Sequence, residues 1–184
     1  QQPVKITQTQ RNILLFSGQA SSIHSVSDFV DGFICYGTPR NSELITQLKQ
    51  TKKKVVTVDF DIARNASVNV QNQVACAELT NQVVTPNDEH VAVLGLRLIE
   101  AEQVSRIGDA IDRLTTTAIS HQRLLGYIQA LDKKGINLSS DYVWNIPESS
   151  AKYASIAARE ALTSNPRPTV ILCMSDLIAI AAIQ

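Results

Sequence analysis

The sequence is short of several features that would assign a function directly. Its 184 residues include three cysteines, one tryptophan and only 5% aromatic residues. The 17 lysines and arginines are balanced by 17 aspartates and glutamates, so the chain lacks the excess positive charge of a dedicated nucleic-acid-binding surface. No run approaches the roughly 18 apolar residues of a membrane-spanning helix, and the polar first ten residues predict no signal peptide.

Motifs of catalysis and metal binding are also missing. Cys35, Cys76 and Cys173 are widely spaced in apolar surroundings, which predicts buried free thiols in a reducing cytoplasm. Dinucleotide, P-loop, zinc-protease and serine-hydrolase motifs are absent, and the three histidines are isolated in sequence. Asp59 and Asp61 form an acid pair that either serves general acid–base chemistry or, as we expect, ends a strand in a turn. We therefore predict no enzyme activity, metal or cofactor.

The hydrophobic residues, 44% of the chain, are arranged in short β-branched runs that alternate with longer amphipathic segments. Strands without polar alternation are buried on both faces, and strands separated by helices run parallel. The pattern predicts an α/β fold with parallel sheets flanked by helices. The predicted strands are 12–16, 33–36, 55–58, 68–70, 90–96, 142–146 and 169–173. The predicted helices are 42–50, 71–84, 120–134, 149–163 and 175–183. The charged stretch at 98–117 is the least regular, and it forms either a mobile loop or an exposed short helix.

Helix ends and strand ends give local expectations. Ser42 is the predicted N-cap of its helix, Ser175 opens the last helix, and Gly135 has the position of a C-terminal glycine. In parallel sheets of this class, ligands bind beyond the carboxyl ends of the strands. That rule selects the strand ends at 36–37, 59–60, 96–97 and 174–176.

Three motifs, in this order, resemble a family of transcriptional regulators. They are DGFI at 31–34 on a strand, RLLGY at 123–127 within a helix, and RPTVILCMSDLIA at 167–179 across a strand–helix junction. They are similar to the patterns VDG-(I/F)-I, RxxG-(Y/F) and RPTA-(V/I)-(F/L)-x-x-(N/S)-D-x-x-A. With the order of elements from about 12 to 183, they resemble the effector-binding domain of LacI/GalR-type regulators.

The resemblance implies a two-lobe periplasmic-binding-protein-like fold with a ligand cleft. Residues 12–84 would form part of an N-terminal lobe and 85–184 part of a C-terminal lobe, with elements expected to be missing at both ends. The implied effector is a sugar, sugar phosphate or nucleoside. The resemblance also implies a cytoplasmic homodimer that binds operator DNA through an N-terminal helix-turn-helix domain, which is not visible in this sequence.

Five residues are candidate ligand contacts. By resemblance, Arg123 donates to ligand hydroxyls and Asp176 accepts from them, as a guanidinium and a carboxylate suit a polyol. The alternatives are a surface arginine and an acid that complements a helix dipole. Tyr36 and Phe60 end strands, where each ring either stacks on a sugar or belongs to the core. Arg97 either reaches an anionic ligand or lies solvated in a loop.

One departure and two rival functions accompany the resemblance. The family often has Ile-Asp-Asn where this chain has Val70-Gln71-Asn72, so an acid is missing. A periplasmic sugar-binding protein of a transport system shares the expected fold. An α/β sugar-processing enzyme is the other rival, and the missing phosphate-loop and nucleophile motifs argue against it.

Overall fold

A computed structural model of the chain describes residues 12–16, 22–39, 41–62, 64–88 and 90–184. Their contacts divide the chain into two compact units, Gln1–Val70 and Gln71–Gln184. The helices are α1 (His24–Ser27), α2 (Ser42–Gln50), α3 (Asn72–Val83), α4 (Ile119–Lys133), α5 (Ala151–Leu162) and α6 (Asp176–Ile183). The strands are β1 (Gly32–Tyr36), β2 (Lys54–Val58), β3 (Ala66–Val68), β4 (Val91–Leu96), β5 (Ser105–Arg106), β6 (Val143–Ile146) and β7 (Val170–Cys173).

Unit 1 contains a three-stranded parallel sheet in the order β1-β2-β3. Val55 and Thr57 of β2 are buried, while the residues that alternate with them along the strand are more exposed, so one face of the sheet carries the core. Helix α2 supplies Leu44 and Leu48 to that core, as expected from its amphipathic spacing. The buried residues of this core are Ile23, Leu44, Leu48, Val55, Phe60 and Ile62.

Unit 2 contains a four-stranded sheet in the order β5-β6-β4-β7, parallel except for the antiparallel edge strand β5. Val91 and Val93 of β4 face one hydrophobic core, and Ala92 and Leu94 face another. The strand is therefore buried on both faces, as its continuous apolar run predicts. Helix α4 covers the first face with Leu124, Tyr127 and Leu131, and α5 and α6 cover the second with Ala154, Ala157, Ala158, Ala161, Ile178 and Ala181.

Helix α3 packs along α4, and the two helices approach each other closely at Gly126. A Cβ atom at Gly126 would lie 2.2 Å from the Gln73 carbonyl oxygen and 2.9 Å from the Cys76 Cβ. Only a residue without a side chain therefore allows the two helices this separation. The lobe boundary expected from the resemblance lies at residues 84–85, after α3, while the contacts of α3 group it with unit 2.

Two predicted helix ends are confirmed. The Ser175 hydroxyl accepts a hydrogen bond from the Ile178 amide at 3.2 Å, as an N-cap does. Gly135 follows α4 with φ of 74°, and the Ile136 amide donates to the Leu131 carbonyl at 3.0 Å. This pair of features is the glycine-terminated Schellman ending of a helix.

Two local predictions differ from the structure. The N-cap of α2 is Asn41 rather than Ser42, because the Asn41 side chain accepts from the Glu43 amide at 2.9 Å. Residues 12–16 form no strand. None of the described strands pairs with them, and their apolar side chains are exposed. The stretch 98–117, expected to be either a loop or an exposed short helix, contains a 3₁₀ helix, Gly108–Arg113, together with the two-residue strand β5.

None of the helices within the described ranges is long and apolar enough to span a membrane.

Candidate ligand-binding site

The carboxyl edge of the unit 2 sheet brings several candidate residues to one end of the strands. β4 and β7 are parallel neighbours, with Leu94 opposite Cys173. Arg97 directly follows β4, and Asp176 lies three residues after the end of β7. In parallel α/β sheets this edge is where ligands bind.

Arg123 projects from α4 to this edge. Its Nε donates to the Asn72 side-chain oxygen at 2.9 Å, and its Nη1 donates to the Met174 carbonyl at 2.7 Å. Asn72, the first residue of α3, is 5% exposed. Arg123 therefore links α3, α4 and the end of β7. Both acceptors are neutral, and among the described residues no carboxylate pairs with the half-buried guanidinium.

Asp176 is exposed at the start of α6. Its carboxylate accepts a hydrogen bond from the Leu177 amide at 2.8 Å, which complements the positive end of the helix. One of its two oxygens accounts for this bond, so the carboxylate retains acceptor capacity. Because Arg123 binds the carbonyl of Met174, the guanidinium and the Asp176 carboxylate lie at the same end of β7.

Arg97 has an unusual backbone conformation at the same edge. Its φ of 52° is in the left-handed region, which is uncommon for a residue other than glycine. The Arg97 amide donates to the Ile146 carbonyl at 2.9 Å, and its Nε donates to the Pro147 carbonyl at 3.3 Å. The Ser120 hydroxyl donates to the Arg97 carbonyl at 3.0 Å. Hydrogen bonds to β6 and α4 thus fix the backbone of Arg97, which carries the exposed guanidinium.

The two aromatic candidates belong to unit 1 and differ in exposure. Tyr36 ends β1 with 81% of its surface exposed, so its ring is free to stack. Phe60 is 9% exposed and packs in the core of unit 1 with Leu44 and Val55. Phe60 therefore fits the core interpretation, and we leave it out of the candidate site.

The acid pair of unit 1 has the geometry of a strand end. The Asp59 amide donates to the Val68 carbonyl at 3.1 Å, which closes the end of the sheet. Asp61 accepts from the side-chain Nδ2 of Asn69 at 2.8 Å, and hydrogen bonds from the Ser67 and Asn69 side chains lower the pKa of its carboxyl. A lowered pKa keeps Asp61 ionised and unsuited to act as a general acid near neutral pH.

Three residues at the unit 2 edge were not predicted as functional: Asn72, Ser120 and His121. In the sequence, Asn72 was noted only as part of the Val70-Gln71-Asn72 segment that departs from the family pattern. In the structure its side chain accepts a hydrogen bond from Arg123. It also lines an open depression of about 240 Å³ whose walls are uncharged. The lining residues are Gln71, Asn72, Gln73, Val74, Thr116 and Gln122. Sequence spacing gave no signal for Ser120 or His121.

The described residues contain no group of three or more histidines, cysteines and acids that could hold a metal ion. The three cysteines are free thiols. Burial raises the pKa of Cys35 and Cys76, and it raises the pKa of Cys173 to about 11.

We expect these thiols to react slowly in the folded protein at pH 7.5. A raised pKa leaves little thiolate, which is the reactive form, and Cys173 should be the slowest of the three. Labelling with a thiol reagent such as DTNB, with and without urea, measures this. The urea-unfolded chain should react rapidly at all three cysteines, and equally fast reaction of Cys173 in the folded protein would contradict the burial.

Comparison with known proteins identifies the fold. No family model matches the sequence. An HTH-type transcriptional regulator of Mycobacterium tuberculosis is 26% identical over 157 residues, which cover 84% of this chain and 44% of the relative. A LacI-family regulatory protein from Chloroflexus aggregans superposes with a TM-score of 0.68 at 20% identity, covering 91% of this chain and 57% of that one. The transcriptional regulator CelR, solved with cellobiose, has a TM-score of 0.64 at 17% identity and covers 86% and 46% of the two chains.

The chain thus spans about half the length of the proteins that it matches. Both sheets, their flanking helices and the order of elements agree with the α/β architecture expected from the sequence. Over that half, the chain has the fold of LacI-family transcriptional regulators, and its sequence is similar to an HTH-type transcriptional regulator.

Proposed function

We propose that this chain senses a small neutral polyol, such as a sugar, for a LacI-type DNA-binding transcriptional regulator. The ligand binds at the carboxyl edge of the unit 2 sheet, where Arg123 donates to its hydroxyls and Asp176 accepts from them. Arg97 is a further donor at this edge. Tyr36 remains a proposed stacking residue of unit 1.

The main support for this proposal is the number of Arg123 N–H groups that have no acceptor among the described residues. A guanidinium has five N–H donors in a fixed fork, and described residues accept from Nε and Nη1 only. The remaining donors, including both on Nη2, are available for a ligand. Because Asn72 and Met174 hold the fork in place, a ligand would not have to order it first.

Asp176 favours a ligand that donates hydrogen bonds as well as accepting them. Asp176 accepts but cannot donate when ionised, and it would repel a phosphate. The lining of the nearby depression carries no charge. The cellobiose complex of a structural neighbour supports the sugar class.

The remaining parts of the proposal come from the family resemblance. The regulator acts in the cytoplasm as a homodimer, catalyses no reaction, and contacts operator DNA through a helix-turn-helix domain. Ligand binding then changes operator affinity. The similarity to an HTH-type regulator supports this assignment over a transport-type sugar-binding protein.

Thermal unfolding of the intact protein with cellobiose, D-glucose, D-ribose and inorganic phosphate tests the ligand class. At a concentration 100 times its Kd, a sugar that binds the folded state should stabilise it by about 2.7 kcal/mol. Asp176→Ala should remove that stabilisation because the hydroxyl acceptor is lost. Asp132→Ala, which removes an exposed carboxylate on a different helix, α4, should retain the stabilisation.

Three results would count against the proposal. Stabilisation by phosphate alone would indicate an anionic ligand, and turnover of a bound sugar would indicate an enzyme. Equal sugar binding by the Asp176→Ala variant and the unmodified protein would show that the site lies elsewhere.

A further inference from the structure

We propose that His121 is a positioning residue of the ligand site, which fixes Arg97 and Arg123 relative to each other. This inference rests on the proposed function, because it assigns a role within that same site. His121 lies in the first turn of α4, two residues before Arg123. We call residues 97–99, which directly follow β4, the Arg97 turn.

The hydrogen bonds of the His121 ring define one protonation state. Its Nε2 lies 2.7 Å from the Leu98 carbonyl oxygen, which can only accept, so Nε2 carries the proton. The Thr115 amide can only donate, and it points at Nδ1 from 3.0 Å, so Nδ1 is the unprotonated acceptor. The ring is therefore neutral, with its proton on Nε2, and it joins the Arg97 turn to the loop before α4.

His121 is the middle residue of a three-residue latch, which we define as Ser120, His121 and Gln122. The Ser120 hydroxyl donates to the Arg97 carbonyl at 3.0 Å. The Gln122 side chain donates to the Thr116 carbonyl at 2.7 Å. Consecutive residues of one helical turn thus hold both ends of the connection between β4 and α4.

The Arg97 turn is also held from its other side. The buried Asn145 side chain accepts from the Leu98 amide at 2.8 Å and from the Ile99 amide at 3.2 Å. The Leu98 peptide groups are therefore fixed by β6 on one side and by His121 on the other. These hydrogen bonds from both sides hold Arg97 in its left-handed conformation. Residues other than glycine persist in that conformation only when their surroundings enforce it.

This arrangement connects the two arginines of the candidate site. Arg97 is attached to the first turn of α4 through Ser120 and His121, and Arg123 projects from the next turn of the same helix. Loss of the His121 bonds would free the Leu98 carbonyl and the Thr115 amide while leaving the contacts of Arg123 in place. We expect a ligand to bind less tightly when it must first order the Arg97 turn.

Two variants separate this role from simple packing. His121→Ala removes both the donor and the acceptor. His121→Gln keeps an N–H donor and a carbonyl acceptor on a flexible side chain of similar reach. His24→Ala, at an exposed position of unit 1, is the matched control. The measurements use the intact protein, with cellobiose affinity by calorimetry, ring ¹⁵N shifts, and exchange of the Thr115 amide by NMR.

In the unmodified protein we expect Nε2 to be the protonated ring nitrogen and the Thr115 amide to exchange slowly. His121→Ala should speed that exchange and weaken cellobiose binding by about tenfold, the effect of losing roughly one hydrogen bond. His121→Gln should recover most of the affinity, and His24→Ala should change nothing.

The outcomes distinguish the two proposals. If the unmodified protein binds cellobiose and His121→Ala binds it equally well, the positioning role is wrong while the ligand site stands. If ring shifts place the proton on Nδ1, or if the Thr115 amide exchanges as fast as in His121→Ala, the latch itself is wrong whether or not a sugar binds. Absence of sugar binding by the unmodified protein, with the latch signals present, counts against the proposed function and removes the positioning role with it.

Discussion

Gly126→Ala should destabilise unit 2 by about 1–3 kcal/mol, the usual cost of forcing extra atoms into a packed contact. The new methyl group would lie 2.2 Å from the Gln73 carbonyl oxygen, far inside any normal contact distance. That oxygen belongs to the backbone of α3 and cannot swing away as a flexible side chain would. Relief therefore requires α3 to move away from α4.

The effect should survive the better helix propensity of alanine. Alanine in a helix interior is favoured over glycine by about 0.8–1.0 kcal/mol, which offsets part of the clash. Urea unfolding measures the net change, and Ser155→Ala, at an exposed position inside α5, is the control for placing alanine in a helix. A Gly126→Ala variant as stable as the unmodified protein would show that α3 and α4 lie further apart.

The same substitution should reach the candidate site. Gln73 directly follows Asn72, so any shift of α3 moves the side-chain oxygen that holds the Arg123 Nε. We therefore expect sugar affinity to fall together with stability. Within the RLLGY segment, Gly126 therefore allows the close contact between α3 and α4 that positions Asn72, the hydrogen-bond partner of Arg123.

The sequence predicted those parts of the fold that depend on neighbouring residues. The apolar run of β4 indicates a strand buried on both faces, and it is so buried. Gly135 and Ser175 end and begin their helices through contacts within five residues. Asn41 and Ser42 are adjacent and are both good capping residues, so composition could not decide between them.

Other features depend on contacts that sequence spacing does not encode. Residues 12–16 have the composition of a strand, but a strand forms only with a partner, and none is present among the described residues. Amphipathic spacing identified α3 as a helix and could not tell which unit it would join. Phe60 follows the end of β2, where we expect aromatic ligand contacts, but its ring lies in the core.

In the candidate site, too, sequence motifs identified some residues, whereas contacts between distant residues were not predictable. Arg123 and Asp176 were found through motifs, and the structure places both at the end of β7. His121 was isolated in sequence because Leu98 lies 23 residues away and Thr115 lies six residues away. Only the folded chain brings these three residues together.

Arg123→Ala should have the largest effect on ligand binding, and it should also lower stability. The substitution removes the hydrogen bonds that Arg123 donates to the side-chain oxygen of Asn72 and to the carbonyl of Met174. Hydrogen bonds to a charged group contribute about 1.5–3 kcal/mol each. Because Arg123 is only half-buried and water can replace part of its contacts, we expect a net loss of roughly 1.5–3 kcal/mol.

Arg123→Lys separates the charge from the shape of the guanidinium. Lysine keeps the positive charge but presents a single ammonium, which cannot hold two acceptors and a ligand in one planar fork. We expect its sugar affinity to fall by about a hundredfold, close to that of Arg123→Ala, equivalent to about 2.7 kcal/mol. If lysine preserves affinity, the site requires only charge and the polyol assignment fails.

A double-mutant cycle with Asn72→Ala tests whether the hydrogen bond seen between the two side chains contributes to stability. Residues in direct contact couple by about 0.5–3 kcal/mol, so the double variant should lose less than the sum of the single losses. Arg159→Ala, which removes an exposed arginine from α5, should show no coupling with Asn72→Ala. Strict additivity for Arg123 and Asn72 would mean that the guanidinium is not held by α3, and the argument for a fixed donor fork at the end of β7 would fail.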